Sequence, residues 1–300
     1  MKRILIAANT RSARGRGANI LREAERHLTQ AGVQCEVLVS QSNGYFFEAL
    51  PPRLREPWDA VVALGGDGTV FQVLNCCLKH EGFNTPLGLI PAGTGNSFSK
   101  EFRHQPAQPA WQRLLESRPV PVDVLRCRLH NAEAWHGNEY YFINVMGLGF
   151  VSEVNINSQR FKRLGTVSYI LGLLVTLQKF KPASLRMRLD EQTHSRTAMF
   201  AVICNSRYTG GDMWIAPHAE IDDGMMEVIL LNELSRLGLV RAFPSVFTGK
   251  HIHHPKVEVF RCRRLRIEAE AEQMLTPDGE IVGCTPMEVE VLPRRVQFIL

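Results

Sequence analysis

Two short glycine-rich segments carry the residues best suited to chemistry. The first, Gly65-Gly66-Asp67-Gly68-Thr69, follows the apolar run Ala60–Leu64 and precedes a helical period. Glycine lacks a Cβ, so the backbone can turn sharply and bring its N–H groups against a phosphate at the positive end of a helix. The pattern predicts a phosphate-binding turn between a strand and a helix. An ordinary turn in which Asp67 only caps the helix stays open.

Asp67 is an unusual residue for a turn that binds only anions. A carboxylate repels a phosphate unless a divalent cation lies between them. Its presence in this turn therefore indicates that the phosphate arrives together with magnesium.

The second segment repeats the pattern of the first. Pro91-Ala92-Gly93-Thr94-Gly95-Asn96-Ser97 follows the strand-like run Pro86–Ile90. Ligands of open α/β sheets bind at the carboxyl ends of the strands, so we expect the two turns to face one triphosphate. Neither segment is a Walker A loop, and neither is a dinucleotide-binding Gly-x-Gly-x-x-Gly motif.

The elements that must position these turns fall into two groups. Up to about Val122, short apolar runs alternate with helical periods, which indicates βαβ units and a parallel sheet. From there on strand-like runs dominate, which predicts an antiparallel, β-rich domain. We therefore expect an α/β domain at 1–122 and a β-rich domain at 123–293, and the final strand, about 294–300, can return to the first domain.

Composition narrows the class of protein further. The chain has 300 residues and a net charge of +5, a modest excess that suits nucleotides, nucleic acids and anionic membranes alike. The N-terminal apolar run is too short for a signal peptide, and no stretch is long enough for a transmembrane segment. Seven cysteines without a Cys-x-x-Cys pair favour a reduced cytoplasm and argue against zinc.

Two basic clusters are not expected to be sites. His251, His253 and His254 have no adjacent carboxylate, and we interpret them as solvated imidazoles in a loop. The arginines between Arg261 and Arg266 alternate with Cys262 and Leu265, as on an exposed strand face. Interleaved aromatic residues are absent there, so no nucleic-acid partner is expected.

The ordered set of motifs resembles the catalytic domain of diacylglycerol kinases, sphingosine kinases and bacterial lipid kinases. GGDGT and PAGTGN are followed, in that family's order, by PVDVL, INVMGLGF, ICNSRYTGGDMWIAP, IDDGMMEVILL and a terminal TPDGE. The resemblance covers nearly the whole chain. It implies a Rossmann-like sheet similar to those of phosphofructokinases and NAD kinases, an antiparallel sandwich or barrel, and a cleft between them.

The resemblance also implies roles for individual residues. Asp67, Asp123 and Ser97 would belong to the catalytic magnesium network, although Ser97 stands where relatives often have aspartate and Gln72 replaces a common glutamate. ATP would be bound by residues of the first domain and one of the last turn, namely Asn9, Gly65, Gly66, Gly68, Thr69, Gly93, Thr94, Gly95, Asn96 and Glu280.

Two further carboxylates take roles from the resemblance. Asp278 would be the general base, because transfer of a phosphoryl group to an alcohol needs a carboxylate beside the hydroxyl as its proton leaves. Judged on its residues alone, Asp278-Gly279 is typical of a turn between strands. Asp223 and Met225, in Asp222-Asp223-Gly224-Met225, would hold a structural magnesium ion, with an ordinary polar turn as the alternative.

These observations predict an ATP- and Mg²⁺-dependent kinase for a lipid hydroxyl, with a diacylglycerol-like or sphingoid-like acceptor. Such an enzyme would be cytoplasmic and peripheral to the membrane, where it meets its lipid, and a homodimer stays open. Two alternatives remain, a soluble-metabolite kinase of the NAD kinase type and a catalytically weak lipid-binding relative. The apolar stretch Gly165–Phe180, with its basic flanks, could lie near the lipid.

Overall fold

The computed structural model describes residues 1–12, 15–102, 108–130, 137–149, 152–154, 176 and 182–299. The chain divides into two compact units, one made of Met1–Val122 and Arg294–Leu300 and the other of Asp123–Pro293. Most of the apolar stretch Gly165–Phe180 lies outside the described residues. Among the helices that are described, none has the length and apolar character of a membrane-spanning segment.

The first unit is an α/β domain with a parallel sheet. Its strands are β1 (Arg3–Ala8), β2 (Gln34–Val39), β3 (Ala60–Gly65), β4 (Leu87–Pro91) and the end of β17 (Met287–Ile299). They lie in the order β2-β1-β3-β4-β17, and every neighbouring pair is parallel. The helices are α1 (Gly17–Gln30), α2 (Tyr45–Ala49), α3 (Asp67–Lys79) and α4 (Ala110–Glu116), with 3-10 turns at Arg53–Arg55 and Phe98–Phe102.

The core of this unit follows from its apolar pattern. The inner strands β1 and β3 are almost continuously apolar, as expected of parallel strands that are buried on both faces. Leu21 and Leu28 of α1 lie seven residues apart on one helical face and pack against strand residues such as Ile4 and Val62. The same cluster includes Ile299 from the end of β17, so the C-terminal strand completes the core of the first unit.

The second unit is built of antiparallel strands. Those described are β5 (Val120–Leu129), β6 (Glu139–Phe142), β7 (Val145–Gly149), β8 (Ala183–Leu189), β9 (Gln192–Cys204), β10 (Tyr208–Thr209), β11 (Met213–Trp214), β12 (Met226–Asn232), β13 (Val257–Cys262), β14 (Arg264–Ala269), β15 (Met274–Pro277), β16 (Gly283–Cys284) and the beginning of β17. The long strand β9 pairs with β8 through its first half and with both β7 and β12 through its second. Parallel α/β and antiparallel β-rich units confirm the fold class expected from the sequence.

A short helical segment lies between β12 and β13 of the second unit. Helix α5 (Arg236–Ala242) continues into 3-10 turns at Phe243–Thr248 and Lys250–His253. His251, interpreted above as solvated, is in fact buried, and its Nε2 lies 2.9 Å from the carbonyl oxygen of Ile215. Burial lowers the pKa of His251, and its hydrogen bonds to the backbone at Ile215 and Ser245 act against this change. The prediction of a solvated ring was wrong because the covering residues are distant in the sequence.

We predict that Phe298→Ala destabilises the first unit. The Phe298 side chain is buried, and its ring lies 5.0 Å from that of Phe98, centroid to centroid. Removing it leaves a cavity, and the expected loss in the free energy of unfolding is about 3–5 kcal/mol. Urea denaturation measures the change. Gln297→Ala, at the exposed preceding residue of the same strand, should change the free energy of unfolding by less than about 0.5 kcal/mol. Equal losses in both variants would contradict the placement of Phe298 in the core of the first unit.

His251 predicts a pH dependence of stability. Because the pKa of this imidazole is lowered in the folded state, the unfolded chain binds a proton there more readily. The contribution to stability is therefore complete above the ordinary histidine pKa of about 6.5 and falls as the pH drops below it. Urea denaturation of the wild type and of His251→Gln at about pH 7.5 and about pH 5.5 should show a smaller acid loss in the variant. His80→Gln, at a partly exposed histidine, is the control; a variant that loses as much stability in acid as the wild type rules out this role.

Candidate active site

The two glycine turns lie side by side in the first unit. Gly65 at the end of β3 is in register with Pro91 at the end of β4, and the Ala92 N–H donates to the Gly65 carbonyl oxygen at 2.7 Å. The Asn9 N–H donates to the carbonyl oxygen of Leu64 at 2.8 Å, which brings the loop after β1 to the same edge. The three segments expected to border the nucleotide therefore meet at the carboxyl ends of β1, β3 and β4.

Glycine is required where the two turns touch. A Cβ added to Gly93 would lie 2.4 Å from the Gly66 Cα, and a Cβ on Gly66 would lie 3.0 Å from the Gly93 Cα. Backbone therefore packs on backbone between Gly66 and Gly93. Gly65 is confined by a side chain, since its Cβ would lie 2.2 Å from the Thr69 Oγ1.

Asn96 holds the second turn in shape. Its Oδ1 accepts a hydrogen bond from the Gly93 N–H at 2.7 Å, and its Nδ2 donates to the Gly93 carbonyl oxygen at 3.0 Å. Asn96 adopts a φ of 50°, a left-handed conformation that asparagine tolerates better than most residues. Thr94 within this turn is exposed, so the turn presents part of its surface to solvent.

Asp67 is the first residue of α3 and is partly buried. Desolvation raises the pKa of its carboxyl group, while hydrogen bonds from Ser97 and Phe98 and the positive charge of Lys100 act in the opposite direction. The Phe98 N–H donates to Oδ1 at 3.4 Å. Ser97 thus contributes a buried hydroxyl group that hydrogen-bonds to Asp67. Sequence reasoning missed Lys100, whose position near Asp67 depends on the 3-10 turn at Phe98–Phe102.

The donor groups around Asp67 suit magnesium better than a softer metal. A carboxylate and a hydroxyl are hard oxygen ligands, and a cation beside a desolvated carboxylate would favour its ionised form. Within the described part of the chain, no cluster of three or more His, Cys, Asp or Glu side chains forms a protein-only metal site. Mg²⁺ commonly binds to one or two carboxylates and completes its shell with substrate phosphates and water, so this set fits.

The loop after β1 closes on itself through Asn9. Its Oδ1 accepts from the Arg11 N–H at 3.2 Å, and the Ser12 Oγ donates to the Asn9 carbonyl oxygen at 2.6 Å. The same loop approaches the start of α1 so closely that a Cβ on Gly17 would lie 2.7 Å from the Ser12 Oγ. Asn9 therefore shapes the loop, and its contact with nucleotide stays a prediction.

Asp278 lies in the turn after β15 in the second unit. Its Oδ1 accepts from the backbone N–H groups of Asn144 and Val145 at 3.0 and 3.2 Å, and its Oδ2 from that of Ile143 at 3.2 Å. Asp278 also adopts a left-handed φ of 46°. Glu280 follows in the same turn and donates its N–H to the Pro277 carbonyl oxygen at 2.9 Å. The Asp-Gly pair does form a turn, and this turn fixes a carboxylate against the start of β7.

Buried amides surround the carboxylate-binding segment. Asn205 donates to the carbonyl oxygens of Asp123 and Ile143, each at 3.0 Å, and Ser206 donates to the Asn144 Oδ1 at 2.6 Å. The fully buried Oδ1 of Asn205 has no hydrogen-bond partner among the described residues. The motifs INVMGLGF and ICNSRYTGGDMWIAP contain Asn144, Asn205 and Ser206, but the hydrogen bonds that join them depend on tertiary packing and leave no signal in the sequence.

Asp123 is fully buried and is tied to a loop of its own unit. Its Oδ2 accepts from the Gly224 N–H at 2.6 Å, and its N–H donates to the Ile221 carbonyl oxygen at 2.6 Å. These bonds connect β5 to the loop that contains Asp223. Whether Asp123 also serves the magnesium network with Asp67, which belongs to the other unit, stays a prediction.

Asp223 makes two contacts within the protein. Its Oδ1 accepts from the Met225 N–H at 2.9 Å, and its Oδ2 pairs with the guanidinium group of Arg261. Burial raises the pKa of Glu227, and the positive charges of His218 and Arg261 act against this rise. An arginine therefore supplies positive charge at the loop where a structural magnesium ion was expected, and the ligand roles of Asp223 and Met225 stay predictions.

Comparisons with known proteins agree with this architecture. Residues 3–127 match the model of the diacylglycerol kinase catalytic domain, and residues 144–300 match that of the YegS C-terminal NAD kinase beta sandwich-like domain. A diacylglycerol kinase of Mycobacterium tuberculosis is 27% identical over 99% of this chain and 94% of its own length. A probable lipid kinase YegS-like of Xanthomonas euvesicatoria is 30% identical over 93% of this chain and 91% of its own length.

Solved structures show the same fold. The crystal structure of a provisionally named diacylglycerol kinase from Bacillus anthracis str. Sterne superposes with a TM-score of 0.80 at 23% identity, over 99% of this chain and 94% of that one. Yeast NADH kinase complexed with NADH superposes with a TM-score of 0.53 at 13% identity, over 99% of this chain and 82% of the kinase. The chain belongs to the family of diacylglycerol kinases and YegS-like lipid kinases.

Proposed function

We propose that this protein transfers the γ-phosphoryl group of ATP to the hydroxyl group of a diacylglycerol-like or sphingoid-like lipid, with Mg²⁺ as cofactor. The contact between Gly66 and Gly93 is the observation that carries the proposal. It places two turns at the carboxyl ends of neighbouring parallel strands, with Asp67 at the start of a helix beside them. Such an edge favours a phosphate chain, because N–H groups and the helix dipole converge there.

In the proposed reaction, the residues of the first unit bind and orient the nucleotide. The two turns would hold the triphosphate, and Lys100 adds positive charge near Asp67. Asp67 and Ser97 would hold Mg²⁺, which supplies charge neutralisation to the phosphates when bound. Phosphoryl transfer has a loose transition state, so most of the catalysis comes from such positioning and electrostatic stabilisation.

Asp278 would act on the acceptor. The lipid oxygen forms a bond to the γ-phosphorus as the bond to the β–γ bridging oxygen breaks, and the hydroxyl proton passes to the Asp278 carboxylate. Three backbone N–H donors hold this carboxylate in place. The proposal requires Asp67 and Asp278 to reach the same nucleotide.

The alternatives have narrower support. A soluble-metabolite kinase rests on the likeness to yeast NADH kinase, which at 13% identity concerns the fold alone. A catalytically weak relative rests on the departures at Ser97 and Gln72, and the hydrogen bonding of Ser97 to Asp67 gives this serine a place in the site. An assay with labelled ATP, Mg²⁺ and a mixed lipid extract, followed by separation of lipids from soluble products, distinguishes the three. We expect label in a lipid; label only in a soluble product, or in none, contradicts the proposal.

Gly93→Ala should weaken nucleotide binding. The new Cβ would lie 2.4 Å from backbone at Gly66, so the turns must separate and their N–H groups lose alignment. We expect at least a tenfold weaker Kd for ATP in calorimetry, a change of about 1.4 kcal/mol. In Gly82→Ala, the added Cβ meets no atom within 4 Å, and the strain comes only from the left-handed φ of 72°, so this control loses stability without a clash between the turns. Unchanged ATP binding by Gly93→Ala places the nucleotide elsewhere.

Asp67→Asn and Asp278→Asn should each lower kcat strongly. We expect kcat to fall by about 10²–10⁴-fold in Asp278→Asn, as for loss of a general base, and by a similar factor in Asp67→Asn. An asparagine at 278 also opposes an amide NH₂ to a backbone N–H, so stability falls by about 1–3 kcal/mol.

Asp190→Asn is the matched control for that loss of stability. Asp190 also has a left-handed φ of 50° in a turn, and its Oδ1 accepts from the N–H groups of Arg263 and Arg264 at 3.1 and 2.9 Å. This control should lose stability and keep its turnover. If Asp278→Asn keeps its turnover too, the base lies elsewhere.

A further inference from the structure

An apolar surface remains uncovered on the short helical segment of the second unit. The described residues include eight large hydrophobic side chains that are exposed, and three of them lie in this segment. Leu237 is 59% exposed, Val240 41% and Phe247 36%. We call residues 235–250, which comprise α5 and the 3-10 turn Phe243–Thr248, the basic-apolar segment.

The inner side of the basic-apolar segment is anchored in the core. Leu239 is buried in a cluster with Met199 and Leu231, and Phe243 packs against the same cluster. The Ser235 Oγ caps α5 by accepting a hydrogen bond from the Gly238 N–H at 3.1 Å. The backbone of the segment is therefore fixed, and its outward side chains are exposed in a folded element.

The outward side chains form one face. Leu237, Val240 and Arg241 are spaced by three and four residues, so they share a side of α5. Phe243 follows Val240 by three residues, and its ring meets that of Phe247 at 5.6 Å, centroid to centroid. The exposed apolar groups thus run from α5 into the next turn.

The charge of the segment selects the partner. Arg236, Arg241 and Lys250 are exposed in the same segment. The sequence has no Asp or Glu from Leu234 to Val257. An apolar face bordered by basic residues, on a segment whose own sequence has no acidic residue, suits a bilayer surface with anionic lipids, where apolar side chains enter the headgroup boundary and cations meet the lipid phosphates.

We infer that the basic-apolar segment docks the protein on anionic lipid membranes, with Leu237, Val240 and Phe247 entering the interface and Arg236, Arg241 and Lys250 facing lipid headgroups. The inference rests on the proposed function, since an enzyme with a lipid acceptor must reach a membrane. It adds the surface that makes this contact and the lipid charge that this surface requires.

Vesicle binding by the full-length protein tests the inference directly. Sedimentation with phosphatidylcholine vesicles, with and without phosphatidylglycerol, should show binding that depends on the anionic lipid. Each basic residue near such a surface contributes about a fivefold gain in affinity, so the variant Arg236→Gln/Arg241→Gln/Lys250→Gln should bind about 100-fold more weakly. The variant Leu237→Ser/Val240→Ser/Phe247→Ser should lose about tenfold or more.

A control of equal charge separates docking from general attraction. Arg188, Arg263 and Arg264 are exposed on the same unit, and the ion pairs of Arg188 and Arg264 with Glu191 are at the surface and contribute little to stability. The variant Arg188→Gln/Arg263→Gln/Arg264→Gln should keep most of its vesicle binding. If it loses as much vesicle binding as Arg236→Gln/Arg241→Gln/Lys250→Gln, the inference fails, because the attraction then depends on net charge and not on this segment.

Further measurements distinguish this inference from the proposed function. The variants Arg236→Gln/Arg241→Gln/Lys250→Gln and Leu237→Ser/Val240→Ser/Phe247→Ser should both lose phosphorylation of vesicle lipids. Both should keep phosphorylation of a short-chain acceptor dispersed in detergent. A wild type that binds vesicles and phosphorylates no lipid would sink the proposed function alone. A wild type that phosphorylates dispersed lipid and does not bind anionic vesicles would contradict the docking inference alone.

The oligomeric state provides a second test. If Leu237→Ser/Val240→Ser/Phe247→Ser converts a dimer into a monomer in analytical ultracentrifugation and still binds vesicles, the face is an interface between two copies and the inference is overturned.

Discussion

The close packing of Gly66 on Gly93 is the constraint on which the first unit depends. Two turns can touch through their backbones only where neither residue has a side chain, and a Cβ on Gly93 would lie 2.4 Å from the Gly66 Cα. Parallel pairing of β3 with β4 brings these turns together, and the bond from the Ala92 N–H to the Gly65 carbonyl oxygen fixes their offset. Asp67 then begins α3 at the same edge of the sheet.

The second unit achieves comparable rigidity by a different route. The Asp278 carboxylate is held by three backbone N–H groups from one short segment, and Asn205 and Ser206 donate hydrogen bonds to the same segment. A side chain held by backbone donors keeps its direction without depending on neighbouring rotamers, which suits a group that must meet a substrate atom within a few tenths of an ångström. The proposed chemistry uses both arrangements, with the nucleotide on the glycine turns and the acceptor hydroxyl at Asp278.

The sequence predicts those features of the fold and the candidate site that depend on local chemistry. Glycine after a strand and before a helix is a local signal, so the turn containing Asp67 and its neighbour containing Gly93 could be located in advance, as could the change from α/β to β-rich near Val122. Features that depend on tertiary packing could not be predicted from the sequence. His251 is buried because the chain near Ile215 covers it. Arg261 pairs with Asp223, from which it is separated by 38 residues along the sequence. Neither contact leaves a pattern in the sequence.

The central claim is that one magnesium-bound triphosphate lies against both glycine turns. A crystal structure of the protein with Mg²⁺ and a non-hydrolysable ATP analogue tests it most directly. The account predicts β- and γ-phosphates against the backbone of Gly65–Thr69 and Gly93–Ser97, the metal ion on the Asp67 side and the Asp278 carboxylate facing the γ-phosphorus. A triphosphate bound away from both turns, or an Asp278 carboxylate remote from the γ-phosphate, would contradict it.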